Sequence, residues 1–250
     1  MAANRIVVAL SMLLVLLASS CVVAERTTID RNGPPAEASA PAPTRAPAPA
    51  ASAPLVRGDA PEFVGTAVMT DNSFAPLALA SLRDRYVVLF FYPMDFTFVC
   101  PTEIIAFDEK LGEFEKRNCA VVGVSVDSQF THLAWKNTPR DKGGIGSIHF
   151  PLIADVNKRI SRAYGVLWND EVALRGLFII DPKGKVRHAL INDLPVGRSV
   201  AEALRTLDAV LFVDTHGDEV CPANWHPGQE AVKKSADGLR EYFSKQGAKE

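Results

Sequence analysis

The sequence predicts an α/β fold, a central mixed sheet flanked by helices, with a C-terminal extension. Three observations carry this. Apolar runs of strand length alternate with segments whose apolar residues recur every three or four positions. Val87–Phe91 is apolar throughout, as suits a strand buried on both faces, and it leads through Pro93 into a helical pattern after Cys100. Leu177–Asp181 and Val186–Ile191 flank a Pro-Lys-Gly turn, which reads as a hairpin.

The first segment reads as a leader. Arg5 supplies a positive start, and Ile6–Leu17 is apolar apart from Ser11. That run is short for a membrane span and suits the apolar region of a signal peptide over residues 1–24. Two cleavage readings stand. One cuts after Ala24; the other takes Ala-Ser-Ser-Cys (18–21) as a lipobox, making Cys21 a lipidated first residue and a membrane tether. Either predicts export to a periplasm or cell envelope, with a secretory or organelle lumen as the alternative. The scarcity of arginine argues against a mitochondrial transit peptide. Residues 25–54 are rich in proline and alanine; they cannot bury enough surface to order themselves and read as an extended, disordered linker.

The globular part spans residues 55–250. Tyr86–Tyr92 is a buried strand, and the helix after Cys100 turns Ile104, Phe107, Leu111 and Phe114 to one face. Ala120–Val126 is a second strand. Asp127 then caps a helix to about Asn137 that directs Phe130, Leu133 and Ala134 inward. Phe150–Ala154 is strand-like, and Val156–Tyr164 is a helix closed by Gly165. After the hairpin, Ser199 and Glu202 form a capping box for a helix carrying Val200, Leu204, Leu207 and Leu211. A C-terminal arm follows from about residue 214. This order suits a thioredoxin-like fold.

Composition excludes several functions. With 27 basic and 29 acidic residues the net charge is −2, which points away from nucleic acid. Four cysteines, none in a Cys-x-x-Cys pair, make neither a disulfide scaffold nor a zinc ribbon. The five histidines (132, 149, 188, 216, 226) show no paired ligand spacing; most read as surface residues, and no metal site is expected. Gly-Gly-Ile-Gly (143–146) lacks phosphate-loop spacing and reads as a flexible loop.

The chemistry centres on Phe-Tyr-Pro-Met-Asp-Phe-Thr-Phe-Val-Cys-Pro-Thr-Glu (91–103). Pro101 suits the first turn of a helix, so Cys100 sits at a helix N-terminus, where negative charge is favoured and the thiolate fraction rises. Thr97 can aim a hydroxyl at the sulfur, and Pro93 can cover one side. The bland alternative is a buried cysteine packed as a small hydrophobe. That packing role is the reading for Cys119, which opens the strand before Val121.

The spacing of Pro93, Thr97 and Cys100 resembles the peroxidatic motif of the peroxiredoxins, and the resemblance continues through 123–140, 175–187, 192–200 and 219–225. The chain is similar to the typical two-cysteine members. That resemblance implies Cys100 as the peroxidatic cysteine and Cys221, of the partner subunit, as the resolving one. It places Arg175 against the thiolate, with Arg198 a weaker candidate for the same neighbourhood. Glu103 then orients an arginine, since an unpaired carboxylate would disfavour the thiolate. The implied reaction is reduction of hydrogen peroxide or an organic hydroperoxide, in antioxidant defence. It runs through a sulfenic acid and an intersubunit disulfide, recycled by a thioredoxin-like reductant without metal, haem or flavin. Homodimers joined into a ring of five are implied. Gly143–Gly146 with Tyr242-Phe243 matches the pair of features that marks members prone to overoxidation. An exported holdase chaperone is the rival from another class.

Overall fold

The computed structural model describes residues 55–247; the expected leader, linker and Cys21 lie outside the described residues. Strands β1 (Val64–Val68), β2 (Phe74–Ala78), β3 (Tyr86–Phe91), β4 (Cys119–Ser125) and β5 (Leu152–Ala154) precede two short strands, β6 (Leu167–Trp168) and β7 (Val172–Ala173). The hairpin strands β8 (Arg175–Ile180) and β9 (Val186–Asn192) follow. Helices α1 (Cys100–Glu109), α2 (Leu111–Glu115), α3 (Gln129–Asn137), α4 (Arg159–Ala163) and α5 (Val200–Thr215) cover the sheet. Its order is β2-β1-β5-β4-β3-β8-β9, with β3, β4 and β5 parallel to one another and the other pairings antiparallel. This is the thioredoxin-like arrangement expected. After α5 the extension forms a two-stranded ribbon of β10 (Glu219–Val220) and β11 (Val232–Lys233), then α6 (Ala236–Gly247). Among the described residues no helix is long and apolar enough to cross a membrane.

The central position of β3 explains its composition. Val88, Phe90 and Tyr92 enter one core with Ile104, Phe107 and Leu207, while Val87, Leu89 and Phe91 enter the other with Tyr164 and Phe178. A strand with helices on both faces needs apolar side chains at every position. Phe90 and Phe107 stack at 4.6 Å, a contact worth about 0.5–1.5 kcal/mol beyond area burial. This pins α1 to β3 about two turns beyond Cys100.

Several elements differ from expectation. The helix after Cys100 breaks at Lys110 (φ −105°, ψ 6°), and Phe114 reaches the core from α2. Gly112 just beyond lowers helix propensity there. The cap of α3 is Ser128, whose hydroxyl accepts from Thr131 N at 3.2 Å. Asp127 is unavailable as a cap because its carboxylate accepts from Asp95 N and Ser125 Oγ, each at 2.9 Å. The inward face therefore carries His132 and Trp135, and Phe130 lies 66% exposed against Phe74. Helix α4 starts late: Lys158 is left-handed (φ 60°), and the buried Asp155 carboxylate accepts from Ile160 N and Ser161 N.

The segment Gly143–Gly146 is tied down, contrary to the flexible loop expected. Trp135 Nε1 donates to Gly143 O at 2.9 Å, Gly144 N donates to Pro139 O at 3.0 Å, and Ile145 is fully buried. A Cβ on Gly144 would sit 1.8 Å from the Thr138 carbonyl oxygen, whereas one on Gly112 meets nothing within 4 Å. Gly144→Ala is accordingly expected to cost about 3 kcal/mol by overpacking against rigid backbone. Gly112→Ala is expected to stabilise by about 0.5–1 kcal/mol. Urea midpoints at unchanged m-value measure both.

Candidate active site

Cys100 is the first residue of α1 and is wholly buried. No side chain caps this N-terminus, and Pro101 lies in its first turn, so the positive end of the helix is left to the sulfur. Arg175 opens β8, the antiparallel neighbour of β3. Phe90 pairs with Leu177, so two steps further along Arg175 falls level with Tyr92, at the strand end from which the 92–99 loop delivers Cys100. Arg175 Nη1 lies 3.3 Å from Cys100 Sγ and 2.7 Å from Glu103 Oε2. Its Nε donates to Leu194 O at 2.6 Å.

Glu103, one helical turn after the cysteine, holds a second arginine. Arg198 donates to it from N (2.8 Å), Nε (2.7 Å) and Nη2 (2.9 Å), and gives Nη1 to the carbonyls of Phe91 and Gly176. Burial pulls the Arg198 guanidinium below its ordinary range, and Glu103 opposes the shift. Both arginines and the glutamate are buried. Two cations share one anion, which leaves a net positive charge facing the sulfur.

The other predicted residues fall nearby or further off. Pro93 is buried at the end of β3. Thr97 Oγ1 donates to Met94 O at 2.8 Å, closing the turn before the cysteine. Cys221 lies beyond α5 in the extension, part-exposed, with Sγ 3.7 Å from Ala209 O. Burial pushes its thiol up, and Arg205 opposes. Cys119 is wholly buried, and burial pushes its thiol up to about 12, as fits a packing role. Among the described residues all three cysteines are free.

Sequence reasoning missed a buried polar pair under the active loop. His132 is fully buried, not at the surface: Nδ1 lies 2.7 Å from Asp95 Oδ2, and Nε2 lies 3.2 Å from Ile153 O. Tyr92 Oη donates to Asp95 Oδ1 at 2.9 Å. Burial raises the Asp95 carboxyl above its ordinary range, and His132 opposes. These bonds fix Asp95 midway between Pro93 and Thr97. The signal available in the sequence was the three-residue spacing of His132 and Trp135, which marks one helix face.

Comparison with known proteins decides the family. The AhpC/TSA family matches residues 56–189, and the C-terminal domain of 1-Cys peroxiredoxin matches 209–245. Peroxiredoxin-2 of Rattus norvegicus is 60% identical over 187 residues, covering 74% of this chain and 93% of the relative. The crystal structure of the reduced Plasmodium vivax 2-Cys peroxiredoxin superposes with a TM-score of 0.75 at 49% identity, covering 76% of this chain and 99% of that one. The chain belongs to the two-cysteine peroxiredoxins.

A third relative, the mitochondrial thioredoxin-dependent peroxide reductase of Mus musculus, is 57% identical over 193 residues, covering 77% of this peroxiredoxin and 74% of the relative. As a peroxiredoxin the protein is a thiol peroxidase with an antioxidant function. Nothing among the relatives supports the holdase alternative. The expectation of export is corrected: the relative whose name gives a compartment is mitochondrial, not periplasmic, envelope-bound or secreted. The physical reason is that an apolar run followed by small residues reports local hydropathy only, whereas the peroxidase cycle needs a reducing partner, and exported compartments are oxidising. The lipid on Cys21 and the membrane tether concern residues outside those described and are not supported.

Glu103→Gln leaves two buried guanidiniums on a neutral amide. We expect a loss of about 3–5 kcal/mol in urea unfolding. Removing an exposed partner, as in Asp170→Asn beside Arg162, is expected to change stability by no more than about 1 kcal/mol.

Proposed function

We propose that Cys100 is the peroxidatic cysteine of this peroxidase and that Cys221 of a second copy resolves it. The supporting observation is the cationic atom of Arg175, 3.3 Å from the sulfur in a buried cluster with surplus positive charge. The Cys100 thiolate attacks one peroxide oxygen. An S–O bond forms, the O–O bond breaks, and hydroxide or alkoxide leaves to take up a proton. Charge developing on the oxygens meets Arg175 and the helix N-terminus, fixed donors that need no reorganisation. The Thr97 proton is already given to Met94 O, so its oxygen serves the peroxide O–H as an acceptor, not as the donor expected from sequence. Pro93 and the bonded Asp95 hold that loop, and Glu103 orients both arginines.

Cys100 becomes a sulfenic acid. The buried sulfur can meet another cysteine only after the first turn of α1 opens, because a disulfide needs Cα atoms within about 7 Å. The Cys221 thiol then displaces water and forms the intersubunit disulfide. A thioredoxin-like dithiol reduces it by exchange, returning both thiols. In this scheme residues 55–250 carry the chemistry, with the resolving arm starting near 214.

Assembly as a homodimer, and of dimers into a ring, is supported by two apolar surfaces. Strand β9 is an open sheet edge with Ile191 exposed on it and Val196 exposed in the loop that follows. Met94, Phe96 and Phe98 project from the active loop, Phe98 at 94% exposure. Both suit a second copy of the chain better than water.

Cys100→Ser is expected to abolish peroxide consumption. Cys221→Ser should retain one burst of consumption per subunit, stop turnover with the reductant, and give no covalent dimer on a non-reducing gel. Arg175→Ala is expected to slow the burst by about 100- to 1,000-fold. Sustained turnover in Cys100→Ser would remove that residue from the chemistry.

A further inference from the structure

The arm that carries Cys221 is held to α5 by few contacts. Cys221 Sγ is 3.7 Å from Ala209 O. Trp225, four residues on, is buried, packs on Phe212 at 4.8 Å between ring centroids, and closes a local turn by donating Nε1 to Gln229 O. A charge-assisted hydrogen bond adds to these. Arg205 Nη1 donates to Trp225 O at 2.9 Å.

Arg205 is itself oriented. Its Nε and Nη2 each meet a Glu202 carboxylate oxygen at 2.7 Å, a two-point fork. The capping box expected at Ser199 is accordingly half made. Ser199 Oγ accepts from Glu202 N, but the Glu202 side chain turns away to Arg205. Arg205 and Ala209 are one turn apart on the same face of α5. The guanidinium thus sits beside the segment running from Cys221 to Trp225.

We propose that Arg205 is a positioning residue for Cys221: a guanidinium clasp that keeps the resolving segment on α5 and sets how often it leaves for the sulfenic acid of a second copy. The proposal rests on the assignment of Cys100 and Cys221 above. Two reactions compete once the sulfenic acid exists. In one, the Cys221 thiol attacks the sulfenic sulfur, an S–S bond forms, and water leaves. In the other, a second peroxide oxidises the sulfenic acid to a sulfinic acid and is itself reduced to water or an alcohol. The first requires the arm to detach and the second does not, so the strength of the clasp sets their ratio. Arg205 remains on α5 when the arm departs. Its charge therefore acts on the docked state and not on the thiol at its destination.

Hydrogen exchange across residues 219–227 of the full-length reduced protein measures detachment without reference to thiol reactivity. Arg205→Gln is expected to speed exchange there about tenfold, the loss of one charge-assisted hydrogen bond. It should also speed disulfide formation and lower the sulfinic fraction of Cys100 at a given peroxide dose, with the burst rate unchanged. Glu202→Gln, which frees the fork but keeps the guanidinium, should move all three in the same direction by less. It decides the matter should Arg205→Gln not fold. Unchanged exchange and an unchanged sulfinic fraction in the folded variants would overturn the clasp. Faster exchange in Arg205→Gln, with no Cys100–Cys221 disulfide in the unsubstituted protein, would uphold the clasp and overturn instead the resolving role of Cys221.

Discussion

Two buried guanidiniums share a single carboxylate, and the active end of the molecule is built around that imbalance. Moving three ionic groups out of water is costly unless each finds partners. Arg198 meets the requirement with Glu103 and two carbonyls, and those carbonyls belong to β3 and to β8. One side chain therefore joins the helix, the strand before it and the strand beside it. Arg175 completes the set with Glu103, Leu194 and the sulfur. The surplus charge of this set faces the Cys100 sulfur. Fold and reactivity are here the same constraint, since the strands must be in register for the charges to be paired.

The three described cysteines show how far environment separates chemically identical groups. Cys119 lies in β4, and burial moves it towards the neutral thiol, outweighing the Val88 backbone and the more distant charges of Arg85 and Arg117. Cys221 is partly exposed in the extension, with burial and Arg205 pulling in opposite directions. Cys100 is as buried as Cys119 but meets a fixed cation. Depth is therefore no guide to function among them; the charge beside the sulfur is.

Much of this was legible in the sequence because it depended on local pattern. The apolar run of β3, the hairpin around Gly184 (φ 80°) and the hydroxyl cap of Ser199 follow from residue type and spacing alone. Cys100 at a helix start and Arg175 at a strand start were also accessible, the second only through family resemblance. What could not be read depended on partners distant in the chain. Asp127 fails as a cap because Asp95, thirty-two residues earlier, claims its carboxylate, and the face of α3 turns accordingly. His132 looked like a surface residue because its partners, Asp95 and Ile153, are brought to it only by the fold. The break at Lys110 was hidden because Phe114 keeps the helical phase on either side of it.

The position of Glu103 has a mechanical effect on the cysteine. Four hydrogen bonds fasten this residue, while the turn before it is held by Val99 O, which accepts from Thr102 and Glu103, and by no side-chain cap. Fraying that begins at the helix start runs into a riveted residue three positions later. The sulfur consequently travels on a short leash: three residues of extended chain reach roughly 10 Å. Opening and re-forming of that first turn about a fixed anchor is the movement that the proposed disulfide with a second copy requires.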